Sequence, residues 1–243
     1  MNNLIISNRD GFVNTFLGTI SRVAEDSIVS INETGLSCLC STSDGTLVQL
    51  AQMQNKNDFS QTLNVPDIKR LHKIIGCIDQ QDDVCLNIDT NSISYKSPST
   101  RFKFFLLDDG ILSSPAISVE KINKLSFDTT FDVSHDRLMD LIKGSTYANE
   151  SEKIYIYTDE HNNVYGELTD KEKPNMDSFC VKLCDDVSTP ISPIAFNFEN
   201  IRIVSGTRVS KIKFNINTQL SVAKVDLEQN NCYISYIISG LIK

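Results

Sequence analysis

An amphipathic helix followed by a strand is predicted for residues 65–88, whose sequence is VPDIKRLHKIIGCIDQQDDVCLNI. The apolar residues of this stretch recur on one helical face: Ile68, Leu71, Ile74, Ile75 and Ile78. Lys69 and Lys73 lie near the centre of the opposite face, and Arg70 lies at its edge. The whole chain carries 31 acids against 23 Lys and Arg residues. A helix with a cationic outer face in an acidic chain therefore needs an explanation.

The same order of elements, a strand, a helix and three further strands, is predicted four times along the chain. The helices are predicted at about 10–24, 67–78, 134–148 and 199–205. The strands are predicted at 4–7, 27–31, 36–42, 46–53, 59–65, 83–88, 92–96, 101–107, 124–133, 153–158, 163–168, 178–184, 193–198, 210–216, 220–227 and 232–238. Turn signals rich in Asn, Asp and Gly separate many of these strands. Agreement among four successive units favours an internal repeat of structure.

Two similar α+β domains follow from this repeat, because the four units group two and two. The N-terminal domain is predicted at 1–107 and the C-terminal domain at 124–243. The segment 108–123, DDGILSSPAISVEKIN, contains Gly, Pro and several Ser residues, which are typical of a connector.

The other helices show weaker cationic faces than the second helix. The outward face of the first helix is predicted to be small and polar with one cation: Asn14, Thr15, Gly18, Ser21 and Arg22. The third and fourth helices mix cations with acids: Arg137, Lys143 and Arg202 with Asp136, Asp140 and Glu199. Lys and Arg are common on solvated helix faces, so one such helix alone favours solubility over a binding surface.

The composition excludes several classes of protein. A net charge of −8 and a pI near 4.9 argue against a surface that coats nucleic acid throughout. No apolar run reaches the ~18 residues of a membrane span, and no signal peptide is predicted. The seven cysteines lack the spacing of zinc sites, so we expect free thiols in a reducing compartment, with no disulfide and no metal.

Several segments of the chain resemble one known family. The segment TLVQLAQM at 46–53 and the run NVPDIKRLHKIIGCIDQQDDVCLNIDTNSISYKSPSTRFKFFLLDDG at 64–110 resemble the DNA sliding clamps of eukaryotes and archaea, the proliferating cell nuclear antigens. The half from FDVSHDRLMDLIKGS at 131–145 to KVDLEQNNCYISYIISG at 224–240 is more similar to the two-domain clamps of tailed phages. The resemblance implies a DNA-clamp fold, with helices on an inner face and antiparallel sheets outside.

The resemblance also implies a function. In that family, three subunits close head to tail into a ring around duplex DNA, and cations on the helices face the phosphates. The implied DNA-facing residues are Arg22, Lys69, Arg70, Lys73, Arg137, Lys143 and Arg202. Contacts to phosphates carry no sequence information and weaken with salt, so they permit sliding. The positive helix face would then belong to the hole of the ring, and the negative excess to its outside.

Protein partners are implied as well: the replicative DNA polymerase, which docks through a short peptide, and an ATP-driven clamp loader. The implied peptide groove lies beside the connector and the C-terminal strand and comprises Cys40, Ile111, Leu112, Ile117, Tyr236 and Ile238. For any one of these residues taken alone, an ordinary core position is the favoured interpretation. No cofactor is implied.

A homotrimer is expected, because each subunit supplies two of the six similar domains in such a ring. The subunit boundary is expected to join an edge strand at 163–168 or 178–184 of one subunit to one at 92–96 or 101–107 of the next.

Catalysis is not predicted, because the sequence contains neither a phosphate-binding GxxxxGK motif nor a convincing Ser-His-Asp order. Two alternatives to a ring remain open. A monomeric processivity factor would hold DNA electrostatically and would need a broader basic face. A structural or interaction protein of a virus would not bind DNA. The expected location is intracellular, in the host-cell cytoplasm if the chain is viral.

Overall fold

A computed structural model describes residues 2–80, 84–148, 150–209 and 211–241. The chain divides into two compact units of mixed helix and antiparallel strand, which confirms the predicted α+β class. Unit 1 comprises Met1–Ser43, Val48–Val119 and Glu228–Ile234. Unit 2 comprises Asp44–Leu47, Glu120–Leu227 and Ser235–Lys243. The predicted domain boundaries at 107 and 124 stay predictions.

In its described residues, the first half of the chain forms eight strands and two α-helices of the predicted repeat. The strands are β1 (Asn2–Ile6), β2 (Ser27–Asn32), β3 (Gly35–Ser41), β4 (Leu47–Gln54), β5 (Gln61–Val65), β6 (Val84–Ile88), β7 (Ser92–Lys96) and β8 (Arg101–Phe105). The helices are α1 (Gly18–Val23), which continues a π-helical segment Gly11–Leu17, and α2 (Ile68–Gly76). One sheet has the order β1-β6-β7-β8, and a second run of strands has the order β5-β2-β3-β4.

The second half repeats this plan. Its helices are α3 (Val119–Asn123), α4 (His135–Gly144) and α5 (Phe198–Ser205). Its strands are β9 (Thr129–Ser134), β10 (Lys153–Thr158), β11 (Val164–Leu168), β12 (Phe179–Cys184), β13 (Ile194–Asn197), β14 (Lys211–Asn217), β15 (Val222–Gln229) and β16 (Cys232–Ser239). One sheet has the order β12-β11-β10-β13, and a second run of strands has the order β16-β15-β14-β9. The short helix α3 was not predicted within the connector 108–123.

A pair of adjacent helices packs on the strands in each unit. In unit 1, α1 contacts α2 and β3, and the core residues Phe16, Ile20 and Ile75 are fully buried. In unit 2, α4 contacts α5, β9 and β12, and Leu141 and Val204 are fully buried. Burial of such side chains from water is the main source of stability in each unit. Each pair leaves one helical face uncovered by its own unit.

The first helix differs from its prediction in one respect. The sequence predicts a regular α-helix with an outward face of small polar residues, but its first half is a π-helix. Three residues of the predicted outward face, Thr15, Gly18 and Ser21, are buried, whereas Asn14 and Arg22 are exposed. The wider π turn changes the register of the side chains, and α2 packs along this side.

Unit 1 also holds together residues that are more than 200 positions apart. Asn8 donates from Nδ2 to the carbonyl oxygen of Asn230 at 3.0 Å, and Asn230 donates from Nδ2 to Asp10 Oδ2 at 2.5 Å. A Cβ atom at Gly11 would collide with the carbonyl oxygen of Asn230, so glycine is required at this close approach. The turn between β15 and β16 is therefore fixed against the start of the first helix.

Among the described residues, no helix has both the length and the apolar character needed to span a bilayer.

Candidate nucleic-acid interface

The start of α2 is set by its cap. Asp67 has an extended backbone conformation, and its side chain accepts a hydrogen bond from the N–H of Arg70 at 2.8 Å. An aspartate in this position satisfies one of the free N–H groups of a helix start and stabilises the helix by about 1 kcal/mol. The helix predicted to begin at residue 67 begins at Ile68 in the structure.

The end of α2 is held by a residue from another part of unit 1. Arg9 donates from Nη2 to the carbonyl oxygens of Ile78 at 2.8 Å and Gly76 at 3.4 Å. A cation near the C-terminus of a helix also interacts favourably with the helix dipole. Both ends of α2 are therefore fixed, and its outward face is held in a defined orientation.

The outward face of α2 is cationic. Lys69 and Lys73 are exposed and lie one turn apart, while Ile68, Leu71 and Ile75 are buried on the other side. Neither lysine forms an ion pair with any residue in the described part of the chain. Their charges are consequently available to an anionic partner.

Arg70 has a different environment from the two lysines. Its guanidinium carbon lies 5.8 Å from the ring centroid of Phe104, a buried residue of β8. This distance is within the range of a cation–π contact. Arg70 therefore lies at the side of the face and also packs against the sheet.

His72 is a member of this face that the sequence did not single out. It is half-buried, and Gly18 of α1 lies beside its ring. Burial lowers the pKa of His72, and the nearby charges of Arg22 and Lys73 lower it further. The imidazole is consequently neutral at pH 7 and adds no charge to the face.

Unit 2 carries cations on its helices, but acids accompany them. Lys143 Nζ lies 3.8 Å from Asp140 Oδ1 within α4, and Arg202 Nη1 lies 3.4 Å from Glu199 Oε2 within α5. Arg137 is exposed beside the helix cap, where its backbone N–H donates to Ser134 Oγ at 3.4 Å.

Arg202 has two further contacts. Its Nη2 atom donates to Ser145 Oγ at 3.2 Å, and its guanidinium carbon lies 4.9 Å from the ring centroid of Phe198. The guanidinium of Arg202 is therefore held against its own unit on several sides.

The helices of the two units differ in net charge. The π-helical segment, α1 and α2 contain four cations and no acid; the cations are Arg22, Lys69, Arg70 and Lys73. Helices α4 and α5 contain three cations and three acids: Arg137, Lys143 and Arg202 with Asp136, Asp140 and Glu199. The structure thus gives each unit an uncovered pair of helices, but only the pair in unit 1 has a net positive charge.

The residues predicted for a peptide groove do not share one environment. Cys40, Tyr236 and Ile238 are buried, with exposed fractions of 4%, 0% and 0%. Ile111 is exposed, and Leu112 and Ile117 are half-buried.

Unit 1 contains a cleft beside the connector. Its volume is about 610 Å³, and its walls are residues 22–28, 39–43, Lys69 and 112–115. Of the six predicted groove residues, only Cys40 and Leu112 line this cleft. Hydroxyl side chains from both β3 and the connector face it, which the sequence alone did not indicate.

The seven cysteines are free thiols in the structure. Burial raises the pKa of Cys232 to about 12, and a hydrogen bond with Cys38 together with burial raises the pKa of Cys40 well above its usual value. Both thiols therefore stay protonated at neutral pH. Within the described ranges, no three His, Cys, Asp or Glu side chains are placed to hold a metal ion.

Comparison with known proteins gives no match to a family model and no match to a curated protein by sequence. Solved structures do match. A. fulgidus PCNA, solved with the C-terminal region of FEN-1 bound, superposes with a TM-score of 0.77 at 16% identity, over 100% of this chain and 99% of that one. The proliferating cellular nuclear antigen of Entamoeba histolytica superposes with a TM-score of 0.77 at 13% identity, over 99% of both chains. The chain therefore has the fold of the PCNA sliding clamps, as its sequence resemblance implies.

Proposed function

We propose that this protein is a DNA sliding clamp, a non-enzymatic subunit of a ring that encircles duplex DNA and tethers the replicative polymerase. The observation that carries the proposal is the net positive helix pair of unit 1 in a chain of net charge −8 with a clamp fold. A cationic face of this kind attracts phosphates without reading sequence. Acidic surfaces elsewhere keep the protein from coating DNA from outside.

A closed ring does not need tight binding, because topology keeps it on the duplex. Weak contacts between lysines and phosphates break and re-form at low cost, so the ring slides. The flexible and exposed side chains of Lys69 and Lys73 suit such contacts. A monomeric factor would need many more cations than unit 1 offers, and the ring is for this reason the better explanation.

Homotrimer formation is part of the proposal. The order of strands in each sheet limits which strands can form the boundary between subunits. β7 and β11 are interior strands with neighbours on both sides, so neither has an edge for a second subunit. β8 and β12 are edge strands, which supports pairing of β8 in one subunit with β12 in the next.

Exposed aromatic residues near these edges support the same boundary. Phe105 of β8 is 62% exposed. Tyr147, just after α4, is 75% exposed and stacks on Phe179 of β12 with ring centroids 6.2 Å apart. Large exposed aromatic side chains at sheet edges are typical of surfaces that a partner covers.

A polymerase peptide and a clamp loader are the proposed protein partners. A. fulgidus PCNA binds the C-terminal region of FEN-1, which supports a peptide site on this fold. The cleft beside the connector, with Cys40 and Leu112 in its wall, is the proposed docking place in this chain. Because these partners act inside the cell, we propose an intracellular location for the protein.

Native mass and DNA retention test the proposal together. We expect a trimer of the 27.2 kDa chain, retained on nicked circular duplex at high salt and lost when the circle is cut. High salt removes electrostatic binding but not topological linkage. A monomeric mass with equal retention on circular and linear duplex would support the monomeric factor instead. A protein that binds neither form would contradict any DNA function.

A further inference from the structure

The acids of α4 and α5 are placed next to the cations that the clamp fold would turn toward DNA. Asp140 and Lys143 are three residues apart on α4, and Glu199 and Arg202 are three residues apart on α5, with the charged atoms 3.8 Å and 3.4 Å apart. Neither pair has a counterpart on α2, where Lys69 and Lys73 have no acid on their own helix.

These pairs contribute little to the fold. The side chains of Lys143 and Asp140 are 74% and 45% exposed, and those of Arg202 and Glu199 are 47% and 62% exposed. Exposed pairs of this kind stabilise a protein by roughly 0–1 kcal/mol. Replacing the acids by amides of the same shape should consequently leave the unit folded.

Their effect on an approaching phosphate is larger than their effect on the fold. The carboxylate lies within 4.0 Å of its cation, well inside the Debye length of about 8 Å at physiological salt, so a phosphate that approaches the cation also meets the carboxylate. A neutral pair releases few counterions from DNA, and counterion release supplies most of the non-specific affinity.

We propose that Asp140 and Glu199 limit the affinity of the ring for DNA by neutralising Lys143 and Arg202. The inference rests on the proposed function, because it requires that α4 and α5 face the duplex. Most of the electrostatic attraction to DNA then comes from unit 1, whereas the helices of unit 2 present charges that cancel within each helix. A ring that attracts phosphates on only half of its inner surface has fewer contacts to break as it slides.

The test is the variant Asp140→Asn/Glu199→Gln, assayed by fluorescence anisotropy with a labelled short duplex over a series of salt concentrations. We expect affinity to rise by about tenfold at about 50 mM salt. The slope of log affinity against log salt should steepen by about one for each freed cation that meets a phosphate. Trimer mass and melting temperature should stay those of the wild type.

A matched control removes two exposed acids that lie outside the helices and outside β12. Asp132 on β9 lies 3.7 Å from Lys211, and Glu160, in the turn before β11, lies 3.7 Å from His161. The variant Asp132→Asn/Glu160→Gln changes the net charge equally, and we expect less than a twofold change in affinity because neither acid lies on a helix. An equal gain in the control would overturn the inference, since net charge alone would then explain the effect.

A second set of variants checks that the effect comes from the charge of Lys143 and not from a change in folding. Adding Lys143→Gln to Asp140→Asn should return the affinity to the wild-type value, whereas Lys143→Gln alone should lower it, because Asp140 then remains as an unbalanced negative charge. Unchanged affinity in Asp140→Asn/Glu199→Gln, with wild type retained on nicked circles, would overturn this inference alone. Loss of wild-type retention on circles would overturn the proposed function itself.

Discussion

Helices α2 and α4 share the same construction but present different surfaces. They have nine and ten residues, each begins with a side-chain cap, and each buries leucines: Leu71 in α2 and Leu141 in α4. On the outer side, α2 carries three cations and no acid, whereas α4 carries two of each. The apolar stripe fixes where a helix packs, and the outer charges are free to differ. The repeated fold therefore does not imply a repeated role.

The largest expected effect comes from reversing the free cations of α2. The variant Lys69→Glu/Lys73→Glu should weaken DNA affinity by at least about tenfold and lower the amount of protein loaded onto nicked circles, because the face becomes repulsive to phosphates. Its melting temperature should stay close to that of the wild type, because both side chains are exposed. Affinity and primer extension on a long template are the measurements.

The control for this variant is Lys56→Glu/Lys213→Glu, which reverses two exposed cations away from the helices. Lys153 is unsuitable as a control, because it pairs with the buried Asp170 at 3.1 Å and with Glu172 at 2.5 Å. Arg70 is left intact because it packs on Phe104. Equal loss of DNA affinity in the control would break the distinction between helix and strand surfaces.

The second prediction tests the part that α2 and α4 share. Leu71→Ala and Leu141→Ala should each lower the free energy of unfolding by about 2–5 kcal/mol, because both leucines are buried and leave cavities. Chemical denaturation of each variant measures the loss. A loss below about 1 kcal/mol in only one of them would show that the two helices are not equivalent in packing.

Arg70 gives a smaller effect that separates it from its neighbours. Arg70→Ala should lower the free energy of unfolding by roughly 0.5–1 kcal/mol through loss of its contact with Phe104. Lys69→Ala should change stability by less than that, since no aromatic ring of the described residues lies over its ammonium group. Equal stability of both variants would place Arg70 among the free cations of the face.

The smallest expected effect concerns pH. The folded pKa of His72 is lowered from its ordinary value of 6.5, so the unfolded chain binds the proton more readily. His72 therefore favours folding fully above pH 6.5, and this contribution falls as the pH drops through the folded pKa. Phosphates favour the protonated ring, so DNA affinity should rise modestly as pH falls below neutrality. His72→Gln should flatten both profiles, and an unchanged affinity profile would remove His72 from the face.

The sequence was sufficient for α2 because its signals are local. The apolar repeat predicted a helix at 67–78, and the structure has Ile68–Gly76. The mixture of cations and acids on the helix that carries Asp140 and Lys143 was also visible in the sequence. Features that depend on packing between distant segments were not visible. Arg70 meets Phe104 across the unit, and nothing in the local sequence indicates that contact.

Strand β16 shows a second limit of sequence patterns. Alternation along a strand predicts one buried and one exposed face, but β16 has five consecutive buried residues from Ile234 to Ile238. Both faces of the strand are covered there, so Tyr236 and Ile238 lie inside. Likewise, the π-helical start of the first helix changes the register on which Thr15 was predicted to be exposed. Periodicity finds an element, but tertiary packing decides which faces are covered.

The contact of Asn8 and Gly11 with Asn230 has a consequence for synthesis of the protein. A ribosome delivers residues 8–119 long before it delivers Glu228–Ile234, which complete unit 1. During that interval the nascent unit 1 lacks the segment Glu228–Ile234, and the first helix lacks the contact with Asn230 that fixes its start. Closing so long a loop is slow, and the wait leaves apolar surface open to chaperones or to aggregation. Unit 1 can therefore close only after Glu228–Ile234 have been synthesised.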